Sequence, residues 1–493
     1  MPIASPKPLR SYNPLVVFVQ DLLDERSATV PYPPGDTRPS WRRTQRFAND
    51  PLPLLLESYE RYGPVFTLRL FHANSVFVLG PEANHYITVS NASNFIWRTS
   101  MFRELIGFTG DGLLTTDGAY HRTSRQIMLP AFHRERIMAS LDTMVEETTA
   151  ALDTLEDLPP AHTSPSRLPG PFDGAGCTVD IYAWTRHLAL RIAMRALFGL
   201  DPDGAQAREI DAAELFEQTL SFYSTGYTLR MLRGPLTPWA RQQQATRKLN
   251  RLIYSEIARR RRTGARSEDV LSLLIDAHDE DGASLSDLQI RDEVMTLLFA
   301  GHDTTTSTVS FMLYELARHP EALAGLHAEQ HEVLAGANPT PEQLMGEGLP
   351  QLEMVLEETL RMYPPAWIGP RRSVESFELL GHQIHGGAFV NYCSWASHRL
   401  PGVFGEPDSF RPDRFTPEAK AALPRGAYVP FGGGSRTCIG MRFGQLEVRT
   451  IATLLLSRFS LSLPEDFELT IRQMPTISPR EGLPMIVRPR TST

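Results

Sequence analysis

Residues 286–318 constrain this chain more than any other stretch. Ser286 with Gln289 fits a capping box, His319-Pro320 supplies a stop, and the residues between predict one unbroken helix over 287–318. At 1.5 Å per residue it would run ~45 Å, enough to cross a large domain. Its middle breaks local rules. AGHDTTTSTVS, residues 300–310, places a glycine, an aspartate and four threonines in the centre of a buried helix, residue types that cost up to ~1 kcal/mol each relative to alanine. Such violations inside a strong element often mark a functional site. One reading has these hydroxyls bonding back to the carbonyl one turn earlier. The other has Gly301 clearing space for something flat, with Asp303 and Thr304 set beside the gap as a proton relay.

Further helical patterns lie around residues 133–155, 178–198, 240–263, 349–362 and 439–457. Short strand patterns begin at Phe66 and Ser75 and recur over 377–384 and 483–488. No repeat or long linker divides the chain, and the proline-rich stretch 154–176 reads as an internal loop. The expectation is a mainly α fold with a small β portion, one large domain over 41–493 preceded by a proline-rich lead-in over 1–40. The first fourteen residues hold four prolines, and the apolar run 15–19 is far shorter than the ~20 residues of a membrane span. A soluble, cytoplasmic protein with no membrane anchor is expected. A formal net charge of -8 carries no nucleic-acid signature.

The chain has three cysteines, Cys177, Cys393 and Cys438, too few and too scattered for a disulfide framework or a four-ligand zinc site. Cys438 stands in FGGGSRTCIG, residues 431–440. Glycines at 432, 433, 434 and 440 let backbone N–H groups approach a sulfur without obstruction. The helical pattern that follows would turn the positive end of its dipole toward that sulfur. This loop suits a thiolate acting as a metal ligand. Arg436 would then face an anion, and Phe431 would supply an apolar wall.

FGGGSRTCIG resembles the F-x-x-G-x-R-x-C-x-G signature of the cytochrome P450 family, with Phe431, Gly434, Arg436, Cys438 and Gly440 in place. The resemblance implies haem b (iron protoporphyrin IX) with Cys438 as the iron ligand, its thiolate pushing electron density that favours O–O cleavage. Other elements agree in order. ETLR, ahead of the proline pair Pro364-Pro365, is similar to the family's E-x-x-R, in which Glu358 and Arg361 would form a stabilising network with Arg414 of FRPDRF. The tetrapeptide alone is uninformative, because Glu256 to Arg259 and Glu315 to Arg318 fit it too. AGHDTT resembles the acid-alcohol motif of the oxygen-activating helix, which implies Asp303 and Thr304 as catalytic residues and Ala300 and Gly301 beside the haem. DGAYHRTSRQ resembles the segment that binds a haem propionate, implying contacts from His121 and Arg125, four residues apart on one helical face. Arg371 fits a further propionate contact, with Arg372 the competing choice.

The implied activity is monooxygenation: O2 and two electrons hydroxylate or epoxidise a hydrophobic small molecule. The sequence has no plausible flavin or NADPH domain, so a ferredoxin or flavodoxin with its NAD(P)H reductase is the expected donor, docking near Arg425 and Arg442. By family analogy the pocket draws on Phe95, Trp97, Phe102, Phe108, Phe222, Tyr223 and Trp367 and on the region 474–477. Core packing is the alternative reading for each of these aromatics. A lipid-like, terpenoid, steroid or polyketide substrate would suit. The alternatives are a haem-thiolate isomerase, dehydratase or peroxygenase, which often lack the acid-alcohol pair, and a haem sensor, for which Asp303-Thr304 would be superfluous.

Overall fold

The long helix exists as one element, Asp287–Arg318, and its capping box starts it. Ser286 Oγ accepts from the Gln289 N–H at 3.3 Å, and Gln289 Oε1 accepts from the Ser286 N–H at 3.0 Å. This computed structural model describes residues 14–490 apart from 27, 29, 157–176, 201–211, 226–228, 230–231, 279–281, 283 and 346–347. Between Ile290 and Leu316 the helix is buried all round except at Ala300, Gly301 and Thr304. A buried helix that opens only at its midpoint must border an internal space.

Helices Ile181–Ile192, Pro350–Met362 and Met441–Arg458 pack against the long helix, and Leu141–Glu156 packs on Met441–Arg458. Their apolar faces form one large core. A six-stranded sheet stands to one side, in the order Gly35–Asp36, Val65–Leu70, Ala73–Val78, Phe389–Cys393, Ile368–Ser373, Phe95–Ile96. The fold is mainly α with small sheets, as the sequence implied. The hairpin patterns at Phe66 and Ser75 pair antiparallel, Val65 opposite Val78. The central pair, Ile368–Ser373 with Phe389–Cys393, is antiparallel and sets Arg371 opposite Val390.

Two expectations need correction. The lead-in is part of the fold: helix Pro14–Arg26 docks on the sheet, where buried Asp21 meets His72 at 2.8 Å, Arg103 at 3.0 Å and Arg372 at 3.5 Å. Gly35 and Asp36 then pair in parallel with Thr67 and Leu68 at the sheet edge. The prolines at 31, 33 and 34 are confined to the link between these two elements, which is why they do not prevent docking. The second correction concerns residue 178, expected as the start of a helix. Cys177–Asp180 is a strand instead, paired with Pro484–Pro489, since β-branched Thr178 and Val179 suit a ladder. Asp180 then caps helix Ile181–Ile192 by accepting from the Tyr182 and Ala183 N–H groups. Much of the loop expected over 154–176 lies outside the described residues.

Candidate active site

Cys438 sits at one wall of a cavity of about 290 Å³, facing the opened middle of the long helix. Its loop is shaped by glycine where glycine is needed. Gly432 and Gly434 have φ of 68° and 59°, and a Cβ on Gly434 would lie 2.2 Å from the Thr88 carbonyl oxygen. The Cys438 N–H donates to the Phe431 carbonyl at 3.0 Å and closes the turn. Gly440 has ordinary φ and is the N-cap of Met441–Arg458, so that helix begins three residues past the sulfur. The thiol is open to the cavity yet enclosed by protein. That burial pushes its pKa up, against the opposing pull of the Gly440 N–H and Arg125. A metal cation at the sulfur would favour loss of that proton.

Across the cavity stand Ala300, Thr304, Thr305 and Thr308; Phe431, Ile439 and Val448 flank the thiol, and Leu113, Leu114 and Leu297 line further wall. Gly301 does not act as expected. A Cβ there would meet only Leu197 Cδ1 at 3.9 Å, an ordinary contact, so the glycine is not what clears the cavity. The space comes from the smallness of Ala300. The reading in which these hydroxyls bond back to the helix holds at alternating positions. Thr304, Thr306, Thr308 and Ser310 donate to carbonyls four residues back, while Thr305 donates to Glu447 at 2.9 Å and Ser307 to the Ile477 carbonyl at 2.6 Å.

One rim of the cavity is cationic. His121, Arg125, Arg371 and Arg436 all line it. His121 and Arg125 lie on one face of helix Gly118–Met128, and Arg371 faces inward from its strand. Arg372, its neighbour, faces the other way and pairs with Asp24 at 2.7 Å, as strand alternation requires. Burial lowers the pKa of Arg125, Arg371 and Arg436, the last to about 10, and pulls His121 down to about 3 with help from the neighbouring arginines. Arg125 donates to the Thr437 carbonyl at 2.7 Å, and Arg371 donates to the Pro370 carbonyl and lies over the Trp97 ring. Among the described residues, Asp117 is the one carboxylate bonded to any of these arginines, accepting from Arg436 at 2.5 Å. Three guanidinium charges against one carboxylate leave a surplus of two. That surplus fits a ligand with two carboxylates at this end and a metal at the thiol.

Asp303 is buried and turned off the cavity. Thr476 Oγ1 donates to its Oδ2 at 2.5 Å, and Arg186 Nη2 lies 3.7 Å from Oδ1. Among the aromatic residues expected at the pocket, Trp97 and Trp367 line it. Phe95 packs on Tyr86 and Phe377, Phe108 on Phe216 and Phe299, and Phe222 and Tyr223 are buried against each other. These four are core, because their elements turn them away from the cavity. The Phe102 side chain lies outside the described residues. Sequence reasoning placed Thr476 in the pocket region 474–477 but not against Asp303, and it missed Asp117 and Glu447. Glu447 left a signal, a carboxylate on the apolar face of a helix; burial pushes its pKa up to about 8, with Thr305 partly opposing. The bond from Thr476 to Asp303 left none.

The E-x-x-R pair closes the far side of the thiol loop. Glu358 and Arg361 are fully buried, joined at 2.6 and 2.8 Å, with Arg414 Nε 3.4 Å from Glu358. Arg361 also donates to the His398, Pro407 and Ser409 carbonyls.

Residues 43–486 match the family described as Cytochrome P450. Cyclooctat-9-en-7-ol 5-monooxygenase of Streptomyces melanosporofaciens is 31% identical over 87% of this chain and 87% of its own length. Cyclooctatin synthase of the same organism is 35% identical over 77% and 79%. The solved structure titled "Retinoic acid bound cyanobacterial CYP120A1" superposes with a TM-score of 0.81 at 26% identity, covering 94% of this chain and 100% of that one. With the family match over nine-tenths of its length, the chain belongs to the cytochrome P450 family and is a haem-dependent monooxygenase.

Proposed function

We propose that Cys438 ligates the iron of haem b, with Arg125, Arg371, Arg436 and neutral His121 holding its two propionates. The surplus of two positive charges at the cavity rim carries this reading. Gly434 shapes the thiol loop and Gly440 caps the helix after it, Phe431 and Ala300 supply apolar walls on opposite sides, and Gly301 lends backbone beside Ala300. Once bound, the haem supplies O2 activation. Protein groups do the rest. The Thr304 hydroxyl, which here donates to the Ala300 carbonyl at 2.7 Å, turns into the cavity to hydrogen-bond the reacting oxygen. Asp303 swings from its outward position to return protons from solvent.

Electrons come from a ferredoxin or flavodoxin with its NAD(P)H reductase in the cytoplasm. The donor docks on the cysteine side, where Arg425 and Arg442 are exposed. The substrate is a hydrophobic small molecule that is hydroxylated or epoxidised. The relative named for a cyclooctat-9-en-7-ol handles an unsaturated alcohol by its name, and a compound of that apolar, sparsely oxygenated kind suits walls built from Leu113, Leu114 and Leu297. Spectral titration with a terpenoid, steroid and polyketide library finds the substrate. The roles are tested by Thr304→Ala with NADPH and a surrogate ferredoxin system. NADPH consumption should continue while product per NADPH falls ~10²-fold and hydrogen peroxide accumulates. Full coupling in both Thr304→Ala and the Thr304→Ala/Thr305→Ala double variant would sink the assignment.

A further inference from the structure

Thr476 is the one hydroxyl bonded to Asp303 among the described residues, and it belongs to a segment that reads the cavity. Met474, Pro475 and Thr476 line the cavity, at the tip between the paired strands Ile471–Arg472 and Ser478–Pro479. The backbone is pinned on both sides of this tip. Trp367 Nε1 donates to the Gln473 carbonyl at 2.8 Å; the Ile477 carbonyl accepts from Ser307, and its N–H donates to Pro365 at 3.2 Å. Residues 474–476 thus meet whatever fills the cavity from between two backbone anchors. The carboxylate they hold is bound lightly on its other side: Oδ1 accepts no hydrogen bond among the described residues, and the Arg186 nitrogen at 3.7 Å is beyond hydrogen-bond length. One hydroxyl bond and one ion pair beyond hydrogen-bond length thus keep Asp303 turned outward, and the hydroxyl is the part that reaches the cavity.

We propose that Thr476 is a positioning residue that ties proton delivery to cavity occupancy: with the cavity open it holds Asp303 outward, and a bound molecule pressing on residues 474–476 draws its hydroxyl away and frees the carboxylate to turn toward Thr304. This rests on the reading of Asp303 as the proton-passing group. It explains why a cavity residue on a distant segment is bonded to the relay at all. A simple structural staple would have no reason to sit at the point where the segment meets the substrate space. The geometry makes the hydroxyl, and not the shape of threonine, the working part, so serine should replace it and valine should not.

The experiment compares Thr476→Val, Thr476→Ser and Asp303→Asn in the haem-loaded protein. First, NADPH oxidation without substrate, driven by a surrogate ferredoxin and its reductase, should rise about tenfold in Thr476→Val, the population shift expected for one lost charged hydrogen bond, and stay near wild type in Thr476→Ser. Second, and independent of turnover, a thermal double-mutant cycle of Thr476→Val with Asp303→Asn should show the two changes coupled in ligand-free protein. That coupling should shrink when the cavity is saturated with clotrimazole, chosen as a bulky azole and followed by its own spectral shift. Should Thr476→Val fold poorly, Thr476→Ala takes its place in both arms. A wild-type idle rate in Thr476→Val, or a coupling that clotrimazole leaves unchanged, overturns the proposal. If Asp303→Asn nevertheless slows oxygen consumption, only the Thr476 inference has failed. If Asp303→Asn has no effect on oxygen consumption, the relay reading itself falls and takes this one with it.

Discussion

The two sides of the cavity are built on opposite principles. Behind the thiol, Glu358 and Arg361 are wholly removed from solvent and every strong donor is answered, by a carboxylate or by the carbonyls of residues 398, 407 and 409. Beyond the long helix, Asp303 is equally buried but rests on one hydroxyl and a loose ion pair. Over-determined polar contacts fix geometry, and under-determined ones permit a second position. In the proposed roles the thiol has to stay still while the carboxylate has to move, and the hydrogen-bond inventory differs accordingly.

The sharpest way to break this comparison is to make the fixed side loose. Arg361→Ala leaves Glu358 buried with only Arg414 at 3.4 Å and the Arg411 N–H at 2.8 Å. Loss of one partner from a buried pair costs ~3–5 kcal/mol, so little folded, haem-loaded protein should be recovered. Arg259→Ala is the control. It removes the same tetrapeptide pairing, to Glu256 at 2.7 Å, but its side chain is 42% exposed, and exposed pairs contribute ~0–1 kcal/mol. Equal urea midpoints for the two variants would show that burial does not separate them.

A smaller effect is expected at the rim. Each charge-assisted hydrogen bond is worth ~1.5–3 kcal/mol, so Arg125→Ala, Arg371→Ala and Arg436→Ala should each speed haem loss to apomyoglobin about tenfold or more. The Soret maximum should hardly move, since the thiol is untouched. Arg372→Ala should not change the rate, because that side chain reaches Asp24 and the Gly387 carbonyl on the far face of the strand. Accelerated loss in Arg372→Ala with none in Arg371→Ala would reverse the assignment of the two faces.

Elements with strong local signals were legible from the sequence. The capped helix Asp287–Arg318, the glycine-shaped thiol loop and the hairpin at 65–78 all follow from neighbours in sequence, where spacing alone carries the physics. What was not legible depends on contacts between distant segments. The helix Pro14–Arg26 is placed by Asp21 meeting side chains 51, 82 and 351 residues away, and no local pattern announces that. Aromatic residues were the least readable. Trp97 and Phe108 look alike as pocket candidates, and only the turn of each backbone decides that one lines the cavity and the other packs on Phe216 and Phe299. The place of Asp303 on the long helix was legible, but its bond to Thr476, 173 residues on, was not.

The smallest expected effect, and the most specific, concerns Glu447, which joins the two sides. Its Oε2 accepts from Thr305 across the helix contact, and burial holds its pKa up at about 8, against 4.5 for an ordinary glutamate. The sign of its influence on stability follows. Between pH ~4.5 and ~8 the unfolded chain has lost this proton while the folded protein keeps it, so the folded state binds more protons and stability falls as pH rises through that window. Above pH ~8 the loss levels off. Glu447→Gln removes the ionisation and keeps an acceptor for Thr305, and the protonated acid and the amide are nearly the same shape. Holo wild type and Glu447→Gln should therefore melt together at pH 5, and the variant should gain on the wild type as pH approaches 8, by a few degrees at most for a chain of this length. Glu293, also raised by burial, to about 7, titrates in the same window but is present in both proteins and cancels in the difference. A Tm difference that stays flat from pH 5 to 8 would mean that Glu447 is ionised throughout, and the contact with Thr305 would then be a bond to a carboxylate, as fixed as the network behind the thiol.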